Sequence, residues 1–358
     1  MSEHKRFGTT ITFSLTVLST IAVCAVLKIT AGVVIPVVVA ILLSFVFEPA
    51  ILFLNERLHF PRFLANILVI LIFIVALVLV AGALTVTISS IQSQYVKYEN
   101  RFLMVYQNIA EWFKLPFNAE ATLLTNLWEQ GAVRTFVANT IVKFSNELVS
   151  LVKNFVLVIL FMFFFFGEMG VFRKKIQLIF SANMKDSDTI RNMIIEAISK
   201  VTKYLSIKFI ISFFTGLFVF LLTSIVKLDF AFLWGVIAFV LNFIPNFGSI
   251  VSGVLTTAFA LVQFWGDASK IIYVGIVMLS VNMILGNLVE PKLQGDQLGI
   301  SPFAILVSLS IWGFLWDFAG LILAVPIMAI IKIVADNIGL KTVSVLLQNK
   351  SALENSPE

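Results

Sequence analysis

The polar residues able to do chemistry fall inside apolar runs. Asn242, Pro245, Asn246, Gly248 and Ser249 interrupt the apolar stretch 231–265, and Asp317 and Gly320 interrupt the stretch 302–333. A helix that stops at such a break offers amide donors to anions and carbonyls to cations. The Asn242, Asn246 and Ser249 side chains add hydrogen bonds for a polar solute. Asp317 is a carboxylate among apolar neighbours, where a centrally placed charge costs roughly 2.5–3.5 kcal/mol in a bilayer. Its natural partner is a proton or a cation; the plainer alternative is a cap on the helix that follows. Asn282 lies within another apolar run, where it can bond to a neighbouring helix or face a cavity. That run ends in Asn287-Leu-Val-Glu290-Pro-Lys-Leu-Gln-Gly295. Pro291 is expected to hold Glu290 extended and to stop the helix. Glu290 and Lys292 are then free to pair with neighbours or to gate a pathway.

Other chemistries lack material. His4 and His59 are the only histidines and Cys24 the only cysteine, so histidine or cysteine catalysis, zinc hydrolysis and disulfide scaffolds are not expected. No Gly-Lys pair occurs, which removes a Walker A loop and ATP-driven transport by this chain. No enzyme activity, cofactor or metal is expected. The net charge of +5 would suggest nucleic acid in a soluble protein, but no motif supports that partner.

The elements that must position these residues are membrane helices. The chain has 358 residues, 59% apolar and only 13% charged, about half the charge of an average soluble domain. Mean hydropathy is +1.02. Apolar windows at 11–27, 32–47, 63–88, 151–166, 209–226 and 271–288 read as six full spans in a lipid bilayer. The first is a signal anchor, because no small-residue cleavage site precedes a polar mature region. Residues 231–243 make a helix of only about 20 Å, short of the roughly 30 Å needed to cross. Proline and glycine stop it, and a second short arm returns. The stretch 302–333 repeats the pattern about Asp317–Gly320. Each broken stretch follows a full span, and the two spans run in opposite directions, as in transporters built from inverted repeats. The expected fold is therefore an all-α integral membrane protein with about six transmembrane helices and two re-entrant helical hairpins, or eight spans by hydropathy alone. Two tightly packed full spans in place of each hairpin remain an alternative.

With both termini inside, cytoplasmic segments hold 16 of the 25 lysines and arginines, so the chain is expected in the bacterial inner membrane with cytoplasmic ends. The expected organisation is helices 1–3 over 1–88, an extracytoplasmic insert over 89–150, the fourth helix and a basic cytoplasmic segment over 151–208, the transport core over 209–335 and a tail over 336–358. In the insert, Ile91, Tyr95, Tyr98, Phe102, Val105, Ile109 and Trp112 repeat as a heptad seam. A second stripe runs through Val133, Val137, Ile141, Phe144, Leu148, Val152 and Phe155. The two stripes pack on each other or lie on the membrane, or the first forms a subunit contact. Between residues 172 and 208, Ile190, Ile194, Ile198, Val201 and Leu205 share a face, which reads as a helix on the membrane surface.

Leu241-Asn-Phe-Ile-Pro-Asn-Phe-Gly248, the 287–295 segment with Ile300-Ser-Pro302, and Gly320-Leu-Ile-Leu-Ala-Val-Pro326 together resemble the signature of the autoinducer-2 exporter family, the PerM-type permeases. The chain departs from that pattern at Asn246, where an aromatic residue is common, and at Trp316-Asp317, where a small turn is usual. The resemblance implies a homo-oligomeric inner-membrane transporter; some members are associated with autoinducer-2 export and others with sodium or lithium exchange for protons. Three functions follow as expectations. One is a secondary transporter moving a small polar solute through a pocket at the hairpin tips. The second is a cation/proton antiporter using Asp317 or Glu290. The third is a structural or assembly factor working through the heptad stripe.

Overall fold

A computed structural model describes residues 2–114, 155–168, 187–245, 247–294, 299–338 and 346–347. The described residues are helical throughout, joined by short turns. In chain order the helices are α1 (Ser2–Ile29), α2 (Ala31–Glu56), α3 (Arg62–Ser93), α4 (Tyr95–Phe113), α5 (Phe155–Glu168) and α6 (Ser187–Ile225). They continue with α7 (Ala231–Leu241), α8 (Phe247–Gln263), α9 (Ala268–Val281), a π-helical segment (Asn282–Val289), α10 (Glu290–Gln294) and α11 (Pro302–Ile338). Five of these stretches are long and apolar enough to cross a membrane, Ala31–Glu56, Arg62–Ile91, Ile194–Ile225, Ala268–Gln294 and Pro302–Asp336, the last of them divided by a break at Trp316–Asp317. Their lipid-facing surfaces are lined with exposed Leu, Ile, Val and Phe, the inverse of a soluble protein. This is an all-α, multi-pass membrane protein.

The chain folds into two compact units, each assembled from separated segments. The first takes Met1–Leu52, Asn154–Leu205 and Gln297–Glu358. Its core gathers Leu42 of α2, Val201, Tyr204 and Leu205 of α6, and Leu315, Trp316, Leu323, Val325, Met328 and Ala329 of α11. Phe45 and Phe165 meet edge to face at 5.9 Å, joining α2 to α5. Glu48, within α2, is buried and partnered.

The second unit takes Phe53–Lys153 and Ser206–Asp296. Val219, Leu228, Ala238, Ala260, Val274, Val277, Met278 and Val281 form its core. Helix α3 packs on α7, while α4 and α9 both pack on α8. Gly216 of α6 and Gly235 of α7 lie back to back: a Cβ on either would sit 2.7 or 2.8 Å from the other's carbonyl oxygen. Small residues here let two helix backbones touch, the usual way membrane helices gain packing where water provides no drive.

Two sequence expectations change. The surface helix expected over 172–208 and the span over 209–226 are, from Ser187 onward, one continuous helix of 39 residues. Its stripe Val201 and Leu205 is spent on a protein core instead of a membrane surface. Pro291 does not end the sixth span, since Glu290 is helical at φ −57°, ψ −51° and winding continues to Gln294. The Glu290 amide bonds to the Leu285 carbonyl, five residues back. That wider ladder leaves room for a ring that would otherwise meet the carbonyl four residues before it. The heptad seam is divided within the chain: on α4, Tyr98 and Val105 are buried, whereas Phe102, Ile109 and Trp112 are exposed, Trp112 by 85%. The second stripe, 133–155, lies outside the described residues except for Phe155.

Candidate transport site

The first break is a tight helical hairpin. Helix α7 has 11 residues and α8 has 17. Between them the Phe247 amide bonds to the Pro245 carbonyl at 2.7 Å, and the Gly248 amide to the Ile244 carbonyl at 3.1 Å. Gly248 is required by space, because a Cβ there would lie 1.7 Å from the Leu241 carbonyl oxygen. Asn242 caps α7 from a buried position and donates its side-chain amide to Ser212 Oγ at 3.0 Å. Ser212 and Thr215 on α6, and Ser252 and Thr256 on α8, are buried as well, so the hairpin carries a polar lining inside an apolar bundle. Asn282 donates to the Ser249 carbonyl at 3.1 Å, tying the start of the π segment to α8. Asn246 lies outside the described residues.

The other end of this hairpin is clasped by α4. Lys97 Nζ lies 3.0 Å from Asp229 Oδ2, and the Tyr98 hydroxyl donates to the same oxygen. Arg101 donates to the Gln263 carbonyl at 2.9 Å, and the Gln263 side chain bridges the Asp229 amide and the Lys227 carbonyl. Helix α4 thus holds both feet of the hairpin. Burial first, and then the bond to the Asp229 carboxylate and its charge, push the Tyr98 hydroxyl well above its ordinary pKa of 10.0. On the next turn, Asp267 caps α9, and bonds from Ser269 and Lys270 lower its carboxyl to about 2.

Beyond the tip lies a feature that sequence reasoning missed. Lys208, pooled there with the surface lysines, is 4% exposed and pairs with Glu290 at 2.7 Å. The side chains are 5% and 15% exposed, and Gln294 donates to the same Glu290 oxygen at 3.2 Å. Lys208 sits one helical turn from Ser212 and so shares its face. Asn287, by contrast, is exposed on the π segment.

The second break is also a reversal. Trp316 (φ −127°, ψ 20°) and Asp317 (φ 48°, ψ −132°) leave helical geometry, and Ser308 Oγ reaches the Ala324 carbonyl at 2.8 Å across the two arms. Gly320 mirrors Gly248: its Cβ would lie 1.8 Å from the Trp312 carbonyl oxygen. The tip is clamped by α1 in a reciprocal cap. Trp316 Nε1 donates to the Leu27 carbonyl at 3.0 Å, and Lys28 donates to the Phe314 carbonyl at 3.1 Å. Asp317 is exposed at the reversal, and its left-handed φ suits aspartate better than most side chains. Among the described residues no three His, Cys, Asp or Glu come together as a metal site.

Each compact unit thus holds one glycine-closed helical reversal, and comparison with known proteins decides the family. The profile described as AI-2E family transporter matches residues 16–339. The chain belongs to the AI-2E transporter family. A putative transport protein of Borreliella burgdorferi is 29% identical to this AI-2E family member over 92% of the chain and 88% of its own length. The AI-2 transport protein TqsA of Escherichia coli (strain K12) is 27% identical, covering 92% and 93%. A putative transport protein of Haemophilus influenzae is 26% identical, covering 88% and 90%. This AI-2E family chain is a membrane transporter.

Proposed function

We propose that the protein is a secondary transporter of the bacterial inner membrane, with cytoplasmic termini, which moves a small polar solute past the tip of the α7–α8 hairpin. The observation that carries this reading is the buried Asn242–Ser212 bond at a non-helical break, with Lys208 and Glu290 one turn away. Irregular backbone at membrane depth must be buried in protein or line a wet cavity, since lipid cannot satisfy it. Polar side chains gathered there supply a solute with the bonds it gives up on leaving water. Since one relative's name specifies AI-2, autoinducer-2 is the first solute to test. Uptake into reconstituted vesicles should exceed that of empty vesicles, and Asn242→Leu should remove the excess. Equal uptake by the two proteins would sink the assignment.

A second reading, cation/proton exchange through Asp317, is favoured by a carboxylate exposed at the α11 reversal. Vesicles with an imposed proton gradient should then take up sodium or lithium, and Asp317→Asn should abolish the exchange. Exchange that survives the substitution removes Asp317 from that role.

A further inference from the structure

We infer that Lys208 is the charge-recognising residue of the solute site, that the solute carries an anionic group, and that Glu290 stands in for that group in this structure. The inference rests on solute passing the α7–α8 tip as proposed above. Lys208 lies within an apolar stretch long enough to cross the membrane, Ile194–Ile225, and is almost wholly buried. An ammonium in such a place needs a counter-charge at all times, because low dielectric makes an unpaired charge prohibitive. Glu290 Oε1 supplies it at 2.7 Å. On the same face of α6, one turn along, Ser212 bonds to Asn242 at the hairpin tip. One cation beside a hydroxyl and a carboxamide matches a small organic anion bearing hydroxyl or carbonyl groups.

The carboxylate is delivered by a segment built to change register. Directly before Glu290 come eight residues of π-helix, Asn282–Val289. Such winding marks functional sites because each π turn holds one residue more than the α ladder needs. The segment is tethered at both ends, by Asn282 to the Ser249 carbonyl of the hairpin and by Glu290 to Lys208. Gly286, midway, has no neighbour within 4 Å of where a Cβ would stand, so that side of the segment is open, while rewinding must remake the contact of Leu285 with the unit's core. A shift of one residue turns everything beyond it by roughly 100°, since an α-helix has 3.6 residues per turn. That rotation carries Glu290 off Lys208, and an arriving anion takes its place. A neutral or cationic solute offers no replacement charge, so the pair stays closed to it.

The test places a lone cysteine at the tip, Ser212→Cys in a Cys24→Ser background, and reconstitutes the full chain in vesicles. Modification rates are compared for two small thiosulfonate reagents, one bearing a sulfonate and one a trimethylammonium. Glu290→Gln should raise the sulfonate-to-ammonium rate ratio at least tenfold, and Lys208→Gln should lower it by a similar factor. The exchanged pair Lys208→Glu with Glu290→Lys keeps a buried ion pair, and should invert the selectivity even if the single substitutions fold poorly. A ratio that stays within twofold in all three, with both reagents reacting, overturns the role of Lys208 but leaves the hairpin pathway standing. No reaction of either reagent in any variant overturns the pathway itself, and this inference with it.

Discussion

Replacing Gly248 by alanine tests the α7–α8 reversal with one methyl group. Its carbon would arrive 1.7 Å from the Leu241 carbonyl oxygen and 2.5 Å from the carbonyl carbon, both backbone atoms. Reaching even a 3.0 Å separation requires roughly 1.3 Å of movement between the end of one helix and the start of the next. Overpacking against a side chain costs about 1–3 kcal/mol because the neighbour can rotate away. Here the obstacle is main chain and cannot, so the expected loss is about 3–5 kcal/mol, the band reserved for a broken structural device. Gly82→Ala is the matched control: it lies within α3 and an added Cβ meets nothing within 4 Å, so it should gain up to about 1 kcal/mol from helix propensity. Denaturant unfolding in mild detergent, with amide exchange read over residues 241–249, measures both. Should Gly248→Ala unfold within about 0.5 kcal/mol of the parent and keep its amide protection, the close approach on which the site is built does not exist.

Gly320→Ala should behave like Gly248→Ala, with a Cβ 1.8 Å from the Trp312 oxygen, and lose transport together with stability. Lys208→Met or Glu290→Gln alone should each cost about 3–5 kcal/mol by stranding a buried partner, while Lys208→Met with Glu290→Met should recover most of the loss in the same unfolding assay. Tyr98 is held protonated in the folded protein, and its free phenol would ionise near 10.0, so its stabilisation is complete below pH 10 and declines above it. Tyrosinate absorbance should therefore show one slow tyrosine that ionises only on unfolding and is missing in Tyr98→Phe. Asp267, lowered to about 2 from 3.8, stabilises α9 fully above pH 4, and that contribution fades as pH falls through about 2. Amide exchange at Lys270, whose N–H donates to Asp267, should accelerate in Asp267→Ala at neutral pH.

The breaks at 242–248 and at Asp317–Gly320 were legible because polar residues cluster there with proline or glycine inside apolar runs, whereas an isolated proline such as Pro36 or Pro49 is carried within a helix. For Asn282 the sequence left a cross-helix bond and a cavity-facing role open, and its amide bonds to the Ser249 carbonyl. The ion pair was not legible. Lysines near a membrane boundary look alike in sequence, and only packing shows that Lys208 faces inward while Lys200 forms an exposed pair with Glu196. The π segment had no signature, since no residue type selects bonding five residues back over four. Tyr98 was assigned to a seam, yet it meets Asp229 across 131 positions of chain. Long-range pairings of that kind leave no local trace. The length of α6 was hidden by its charges, which mark a boundary by composition but do not interrupt the hydrogen-bond ladder.

The back-to-back contact of Gly216 and Gly235 has a mechanical consequence. With no side chain on either glycine, α6 and α7 meet backbone to backbone there, and Phe239 and Phe220 pack directly beside the contact. Phe209 packs against Phe239 and Phe243 on one side of it, and Phe220 against Phe232 on the other, at 5.8–6.5 Å between ring centres. A fulcrum flanked by aromatic pads lets one end of the short arm close as the other opens.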